Sequence, residues 1–271
     1  MDYLSRGSAP FSDELWGKID EAVITSARRV LVGRRFLNLY GPLGPTVPGV
    51  FIDDLRVKKE DEEDGEIATS SARKYKELPI IKADFTLSWR DLELAGGVYP
   101  VDLSAAHEAA TKAATAEDRL IFFGSEKFGI DGLLTVKGSA RMKRGDWSVG
   151  ENAFTDVSQA VLALTDAGFT GRLALIVSPN LYAALQRLQP GTGRLESERV
   201  ADLVGGRLYT TPVLGRDRAV LVVSEPYTMD LAVGVDFSVA YLELKDLNHV
   251  LRVMETALPR IKRPDAVVVF E

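Results

Sequence analysis

Between Val50 and Leu78 the sequence alternates like a pair of strands but carries almost nothing to bury. The outgoing half reads Val50-Phe51-Ile52-Asp53-Asp54-Leu55-Arg56-Val57, the tip is Glu60-Asp61-Glu62-Glu63-Asp64-Gly65, and the return runs from Ile67 to Leu78. Such a spacing predicts a long polar hairpin. A two-stranded ribbon with so few apolar residues has no core of its own, so it is either disordered or clamped onto another surface. The run Gly41-Pro42-Leu43-Gly44-Pro45 followed by Pro48-Gly49 forbids helix on its N-terminal side, which turns the chain outward just before the hairpin.

The rest of the chain reads as ordinary globular elements. Leu15, Trp16, Ile19, Val23, Ala27, Val30 and Leu31 recur at helical spacing, predicting a helix over 13–32. Ser12 stands at its cap, Asp13 and Glu14 in its first turn, Phe11 is placed to staple against Trp16, and Gly33 supplies a stop. The alanine-rich stretch 103–123 predicts a closely packed spine helix ending at Gly124. From about residue 151 helices and strands alternate: helix 154–167, strand 173–177, helix 181–188, helix 196–204 and strand 207–211. Strands then dominate at 219–224, 231–235, 238–242, 250–258 and 266–270. The order predicts an α+β fold with antiparallel sheet.

Chemistry is conspicuous by its incompleteness. Gly124 and Gly129 have phosphate-loop spacing, but Ile130 and Asp131 stand where lysine and hydroxyl are needed. His107-Glu108 opens a zinc-helix pattern that Thr111 breaks, and the acidic tip laid on a calcium loop puts Ser71 where glutamate must close the shell. There is no cysteine, there are two histidines, and no Gly-x-Ser-x-Gly elbow is present. No stretch approaches the roughly 20 apolar residues of a membrane span, and the first residues lack a signal-peptide run. A net charge of −6 offers no general attraction to nucleic acid. The expectation is a cytoplasmic, non-enzymatic chain with no cofactor, no metal, no membrane and no nucleic acid.

Several runs exceed any general motif. They include 4–10 with Trp16, the run 27–36 (Ala-Arg-Arg-Val-Leu-Val-Gly-Arg-Arg-Phe), Tyr40-Gly41-Pro42-Leu43-Gly44, Leu78-Pro79-Ile80-Ile81, Trp89-Arg90-Asp91-Leu92-Glu93 and 117–122. Gly132-Leu133-Leu134, 229–233, Arg260-Ile261-Lys262 and Pro264-Asp265-Ala266 complete the set. Through them the chain resembles, end to end, the encapsulins, shell proteins that share the HK97-type phage capsid fold, and most of all their myxobacterial-type iron-storage members.

The resemblance implies an icosahedral homo-oligomer, a nanocompartment enclosing cargo enzymes through their C-terminal targeting peptides. The cargo would be a ferritin-like protein, or a dye-decolourising peroxidase. It divides the chain into an N-terminal arm and cargo-facing helix (1–40), a connector (41–47), an elongated loop (48–80) and a peripheral domain with the spine helix (81–139). An axial domain (140–225) and returning peripheral strands (226–271) follow. The elongated loop would lie on a neighbouring subunit, where permanent interfaces often bury more than about 2,000 Å². At ~25 cal/mol per Å² of apolar surface such burial can outweigh ordering the arm.

By position, the resemblance puts cargo-peptide contacts at Trp16, Ile19, Val23, Ala27, Val30 and Leu31, with Arg34 and Asn38 beside them and Asp236, Phe237 and Val239 opposite. The same apolar face could instead pack on its own domain. Glutamate at Val23 and Val30 is expected to empty the shell without breaking it. The loop Pro190-Gly191-Thr192-Gly193-Arg194 falls where relatives line a five-fold pore, or is an ordinary turn. Some relatives bind flavin on a stacked tryptophan and tyrosine. Here Arg90 takes the tryptophan position, Trp89 is shifted by one, and the loop 189–194 has no tyrosine, so no flavin is expected. A prophage capsid protein packaging DNA is the competing reading.

Overall fold

The structure, a computed structural model, describes residues 3–53, 60–63, 67–70, 73–95, 100–191 and 193–271. Helix α1 (Asp13–Val30) begins where its signals place it: the Ser12 hydroxyl accepts the Leu15 N–H at 3.2 Å, and Phe11 packs on Trp16 with ring centroids 5.3 Å apart. Its far end differs from expectation. Gly33 does not stop the helix but opens a second, short one, α2 (Gly33–Phe36). Glycine leaves room there: a Cβ would press on the buried Ile121 side chain and come within 3.2 Å of Asp118 Oδ1. The Asp118 carboxylate takes over the capping, accepting the Gly33 N–H at 2.8 Å and the Val32 N–H at 2.9 Å.

The chain continues through β1 (Asn38–Tyr40), β2 (Gly49–Asp53), β3 (Glu60–Glu63), β4 (Ile67–Ser70), β5 (Arg73–Glu77), β6 (Ile80–Leu87), α3 (Trp89–Ala95) and the spine helix α4 (Ser104–Phe123). After the small β7 (Gly124–Ser125) and β8 (Ile130–Asp131) come β9 (Ala140–Met142), α5 (Asn152–Asp166), β10 (Leu173–Val177), α6 (Pro179–Ala184), α7 (Glu196–Leu203), β11 (Leu208–Thr210) and β12 (Ala219–Val223). The last strands are β13 (Met229–Val233), β14 (Ser238–Lys245), β15 (Asn248–Ile261) and β16 (Val267–Phe270).

Two five-stranded sheets organise these elements. In the first, the long β15 is central: its C-terminal half pairs with β13, which carries β1, and its N-terminal half lies between β14 and β6. Helices α4 and α1 cover it. Ala106, Ala109, Ala110, Ala113 and Ala114 are all buried along α4, so small side chains let the neighbouring backbones approach. The second sheet runs β11-β10-β12-β16-β9. Its inner strands β10, β12 and β16 are buried on both faces, as near-continuous apolar runs require, while the edge strands β11 and β9 stay partly exposed. Ala174, Ile176, Val220, Val222, Val267 and Val269 point into the first core. The alternate residues Leu175, Val177, Leu221, Val223, Val268 and Phe270 point into a second core closed by α5, α6 and α7.

The last strand of the chain crosses from one sheet to the other: β13, β14 and β15 belong to the first, whereas β16 pairs antiparallel with β12 and parallel with β9. Pairing there buries all four residues of Val267–Phe270, which an exposed edge would leave half wet.

The polar hairpin is present in the backbone: β2 pairs antiparallel with β5, and β3 with β4. Residues 54–59, 64–66 and 71–72, which the hairpin reading also covered, lie outside the described ones. Its base is anchored to the first sheet. Val50 and Leu78 are buried with Ile130, Ala232 and Leu258, and the Phe51 carbonyl accepts from Arg260 Nη1 at 3.2 Å. On the other face of the base Phe51 is 54% and Tyr75 48% exposed, their rings 5.6 Å apart.

Candidate functional site

At the C-terminal end of α1 the chain turns through α2 into β1, and the turn between β13 and β14 comes up opposite. Between them lies a groove of about 420 Å³. Ala27, Leu31 and Phe237 form its apolar lining, Ile24 and Leu39 flank it at 38% and 51% exposure, and Arg28, Arg34, Arg35 and Asp236 supply charge.

The groove rests on a buried ionic cluster. Arg34, from α2, donates from Nη2 to Glu117 of α4 at 2.6 Å and to Glu255 of β15 at 2.6 Å. Its Nη1 donates to Asp236 at 2.7 Å. The side chains of Glu117 and Glu255 are fully buried while that of Asp236 is 55% exposed, so the cluster runs from the core to the groove. Burial opposes the Arg34 charge, but the hydrogen bond and attraction of Glu117, then Glu255, raise its pKa above the ordinary value. Burial, and after it repulsion from Glu117, pushes the Glu255 carboxyl well above the usual carboxylate range. A proton held there relieves an arrangement in which one arginine faces three carboxylates.

Beneath α2, burial pushes Asp118 up to about 6 against the opposing backbone hydrogen bonds from Gly33 and Val32. The folded pKa lies above the unfolded one, so the native state binds the proton more tightly. The associated stability is fully present below about pH 4 and is lost as pH rises through about 6, about 3 kcal/mol across the window. Asp84 has the opposite sign, because its hydrogen bond to Arg252 lowers its pKa. Comparing Asp118→Asn with the parent separates the two: between pH 4 and 6 the variant's unfolding midpoint should fall less with rising pH. Equal slopes in the two proteins would contradict the assignment.

The structure divides the residues expected on the cargo face. Ala27, Leu31, Arg34, Asp236 and Phe237 line one groove. Trp16, Ile19 and Val23 do not: they are 8%, 0% and 1% exposed and belong to the first core, as does Val239 of β14. They form the stripe that seats α1 on its own sheet, so glutamate at Val23 would break the subunit rather than empty a shell. Val30 packs beside Ala27, Leu31 and Ala114. Asn38 faces elsewhere, its Oδ1 accepting from Arg172 Nη2 at 3.1 Å. Ile24, Arg28, Arg35 and Leu39 were not foreseen. Ile24 had a signal, being an apolar residue set one position off the buried Val23 stripe.

In the loop 190–194, Gly191 and Gly193 take left-handed backbones (φ 80° and 65°), and Arg194 bonds Asp202 at 2.8 Å rather than projecting free. Thr192 lies outside the described residues. Trp89 opens α3 at 44% exposure with the Arg90 guanidinium 5.6 Å from its ring centroid. His107 is exposed and paired with Ser26 at 2.6 Å, and among the described residues no three His, Cys, Asp or Glu side chains converge as a metal site. No described helix is long and apolar enough to cross a membrane.

Comparisons place this architecture among known proteins. The Linocin_M18 family, described as an encapsulating protein for peroxidase, matches residues 1–258. The chain is 39% identical over 277 residues to the type 1 encapsulin shell protein EncA of Myxococcus xanthus, covering 100% of this chain and 96% of that protein. Among solved structures, the virus-like particle protein of Pyrococcus furiosus superposes with a TM-score of 0.78 at 22% identity, covering 95% of this chain and 100% of that one. The capsid of the Myoviridae phage XM1 superposes at 0.60 and 13% identity, covering 88% and 90%.

Proposed function

The chain belongs to the encapsulin family and has the HK97-type capsid fold, and on that basis we propose that it is the shell subunit of an icosahedral compartment that captures cargo enzymes in the groove beside α1. It is a structural protein, not an enzyme. The observation that carries the shell reading is the hairpin 49–77. Among the described residues its β3 and β4 are laddered only to each other, and Phe51 and Tyr75 stay about half exposed. Apolar surface of that kind is stabilised when a neighbouring copy buries it, and closed symmetry supplies the same neighbour to every subunit.

The groove suits a short C-terminal peptide: apolar anchors would sit on Ala27, Leu31 and Phe237, with polar contacts to Arg34 and Asp236. Several modest contacts on one cargo oligomer multiply into firm retention. Similarity to a ferritin-like-encapsulin shell fusion protein of Pyrococcus furiosus favours a ferritin-like, iron-storing cargo in a cytoplasmic compartment, and the loop at Pro190, Gly191 and Gly193 is assigned to the five-fold pore. The segments 48–80, 81–139 and 140–225 are assigned as elongated loop, peripheral domain and axial domain.

Expressed alone, the chain should form closed particles visible by electron microscopy, and persistent monomers would refute the shell reading. Nuclease-resistant DNA inside them would favour a capsid that packages a genome. Co-expressed with a cargo protein encoded beside it, Ile24→Glu/Leu39→Glu should assemble normally, since both positions are exposed. Cargo per particle should fall about tenfold or more, because an unpaired carboxylate on the groove costs about 1–3 kcal/mol per peptide. Undiminished cargo would remove the groove from the proposal.

A further inference from the structure

The connection from β11 to β12 folds back through two left-handed residues, Gly215 (φ 75°) and Asp217 (φ 58°). That tight turn brings Arg216 and Arg218 to one cavity of about 440 Å³, together with Arg141 of β9. Its wall is apolar, built from Phe123 at the end of α4, from Leu134, and from Val269 and Phe270 of β16. The cavity shares no residue with the groove beside α1.

The carboxylates nearby do not balance the arginines. Glu271 is paired with Arg141, whose Nη2 also donates to the Leu134 carbonyl at 2.9 Å. Asp217 is engaged elsewhere: its Oδ1 accepts from Asn180 Nδ2 at 2.8 Å and lies 3.7 Å from Arg144 Nη2. Arg216 and Arg218 form no ion pair with a described residue. In a chain of net charge −6, two unpaired guanidinium groups on one concave wall focus a positive potential that invites a counter-charge.

Arg218 is also held in place. Its guanidinium lies 5.3 Å from the Phe123 ring centroid, and Nη1 donates to the Leu214 carbonyl at 3.3 Å. The other N–H donors of that fork are unused by the described residues.

Guanidinium groups present their donors as planar forks, the shape that two oxygens of a phosphate or a carboxylate fill. Charge separates these ligands. A phosphate monoester carries about −1.5 to −2 at pH 7 and matches two cations, whereas a carboxylate matches one. Size adds that the ligand exceeds the bare ion, because cavities of about 300–1,000 Å³ hold whole small molecules and this one has an apolar wall. We propose that the cavity binds a small organic phosphate monoester, with its phosphate on Arg216 and Arg218 and its apolar body against Leu134, Val269 and Phe270.

Calorimetric titration of the purified full chain with phenyl phosphate, inorganic phosphate and benzoate tests the site. Phenyl phosphate should bind more tightly than inorganic phosphate and about tenfold more tightly than benzoate, with an affinity that falls as salt is raised. Arg216 is exposed and its side chain bonds no described residue, so Arg216→Ala should leave unfolding by circular dichroism unchanged. The same variant should lower affinity for phenyl phosphate about tenfold, and Arg216→Lys, which keeps the charge without the fork, should recover only part of the loss. A parent chain that does not bind phenyl phosphate would overturn the site. So would undiminished affinity in Arg216→Ala, or benzoate held as tightly as phenyl phosphate. Inorganic phosphate held equally tightly would remove the apolar body from the proposal.

Discussion

Replacing Arg34 by methionine should destabilise the subunit by about 3–5 kcal/mol at neutral pH, because it removes the one cation from a cluster whose two glutamates are fully buried. The guanidinium ties α2 to α4 and β15 and reaches Asp236 at the groove, so the same change should also abolish cargo retention. Without Arg34 the Glu255 carboxyl, already raised by burial, would hold its proton more tightly, and stability should return as pH falls. The triple variant Arg34→Met/Glu117→Leu/Glu255→Leu separates the two roles. An apolar set of similar volume should recover most of the stability, since no buried charge is left unpaired, yet the groove stays without its arginine. Guanidinium unfolding and cargo co-purification read the outcomes. A single variant as stable as the parent would show that the buried cluster is not held by its arginine.

Trp147→Ala is expected to cost about 3–5 kcal/mol in the second core. The indole is fully buried, packs edge-on to Phe270 with centroids 5.5 Å apart, and donates from Nε1 to Asp156 Oδ2 at 2.8 Å. Truncation leaves a cavity between α5 and β16 and takes one of the donors from Asp156, which keeps the Gly145 N–H at 2.8 Å. Trp147→Phe fills most of the space and should cost about 1–2 kcal/mol, the share of the lost hydrogen bond. Equal losses in the two variants would mean that the hydrogen bond, rather than the packing, holds this corner.

Much of the fold was legible because its signals are local. Ser12, Phe11 and Trp16 act within one turn of each other, and the alanines of α4 mark a closely packed helix wherever it ends up. The hairpin announced itself by what it lacks. The groove was legible only by half. Periodicity identifies an apolar stripe on α1 but not what covers it: Trp16, Ile19 and Val23 went to the subunit's own sheet, and only Ala27 and Leu31 reached the groove. Gly33 misled because glycine after a helix usually means a left-handed stop, whereas here the need was for space beside Ile121.

Nor could the sequence announce Glu117 and Glu255 as buried. In Glu117-Asp118-Arg119 the charges look like a solvated face, and the arginine that neutralises them lies 83 residues from Glu117 and 221 from Glu255. β16 likewise reads as a strand but not as one that leaves β15 for the other sheet.

The coreless hairpin at 50–78 was therefore set by the amino-acid sequence alone, as were the capped first helix and the alanine spine, since each follows from residues within a few positions. Tertiary structure decided which apolar faces stay open, where the buried charges meet, and that Arg141, Arg216 and Arg218 line one cavity. Those outcomes depend on which distant segments converge, and convergence is settled by packing across the whole chain rather than by any local preference.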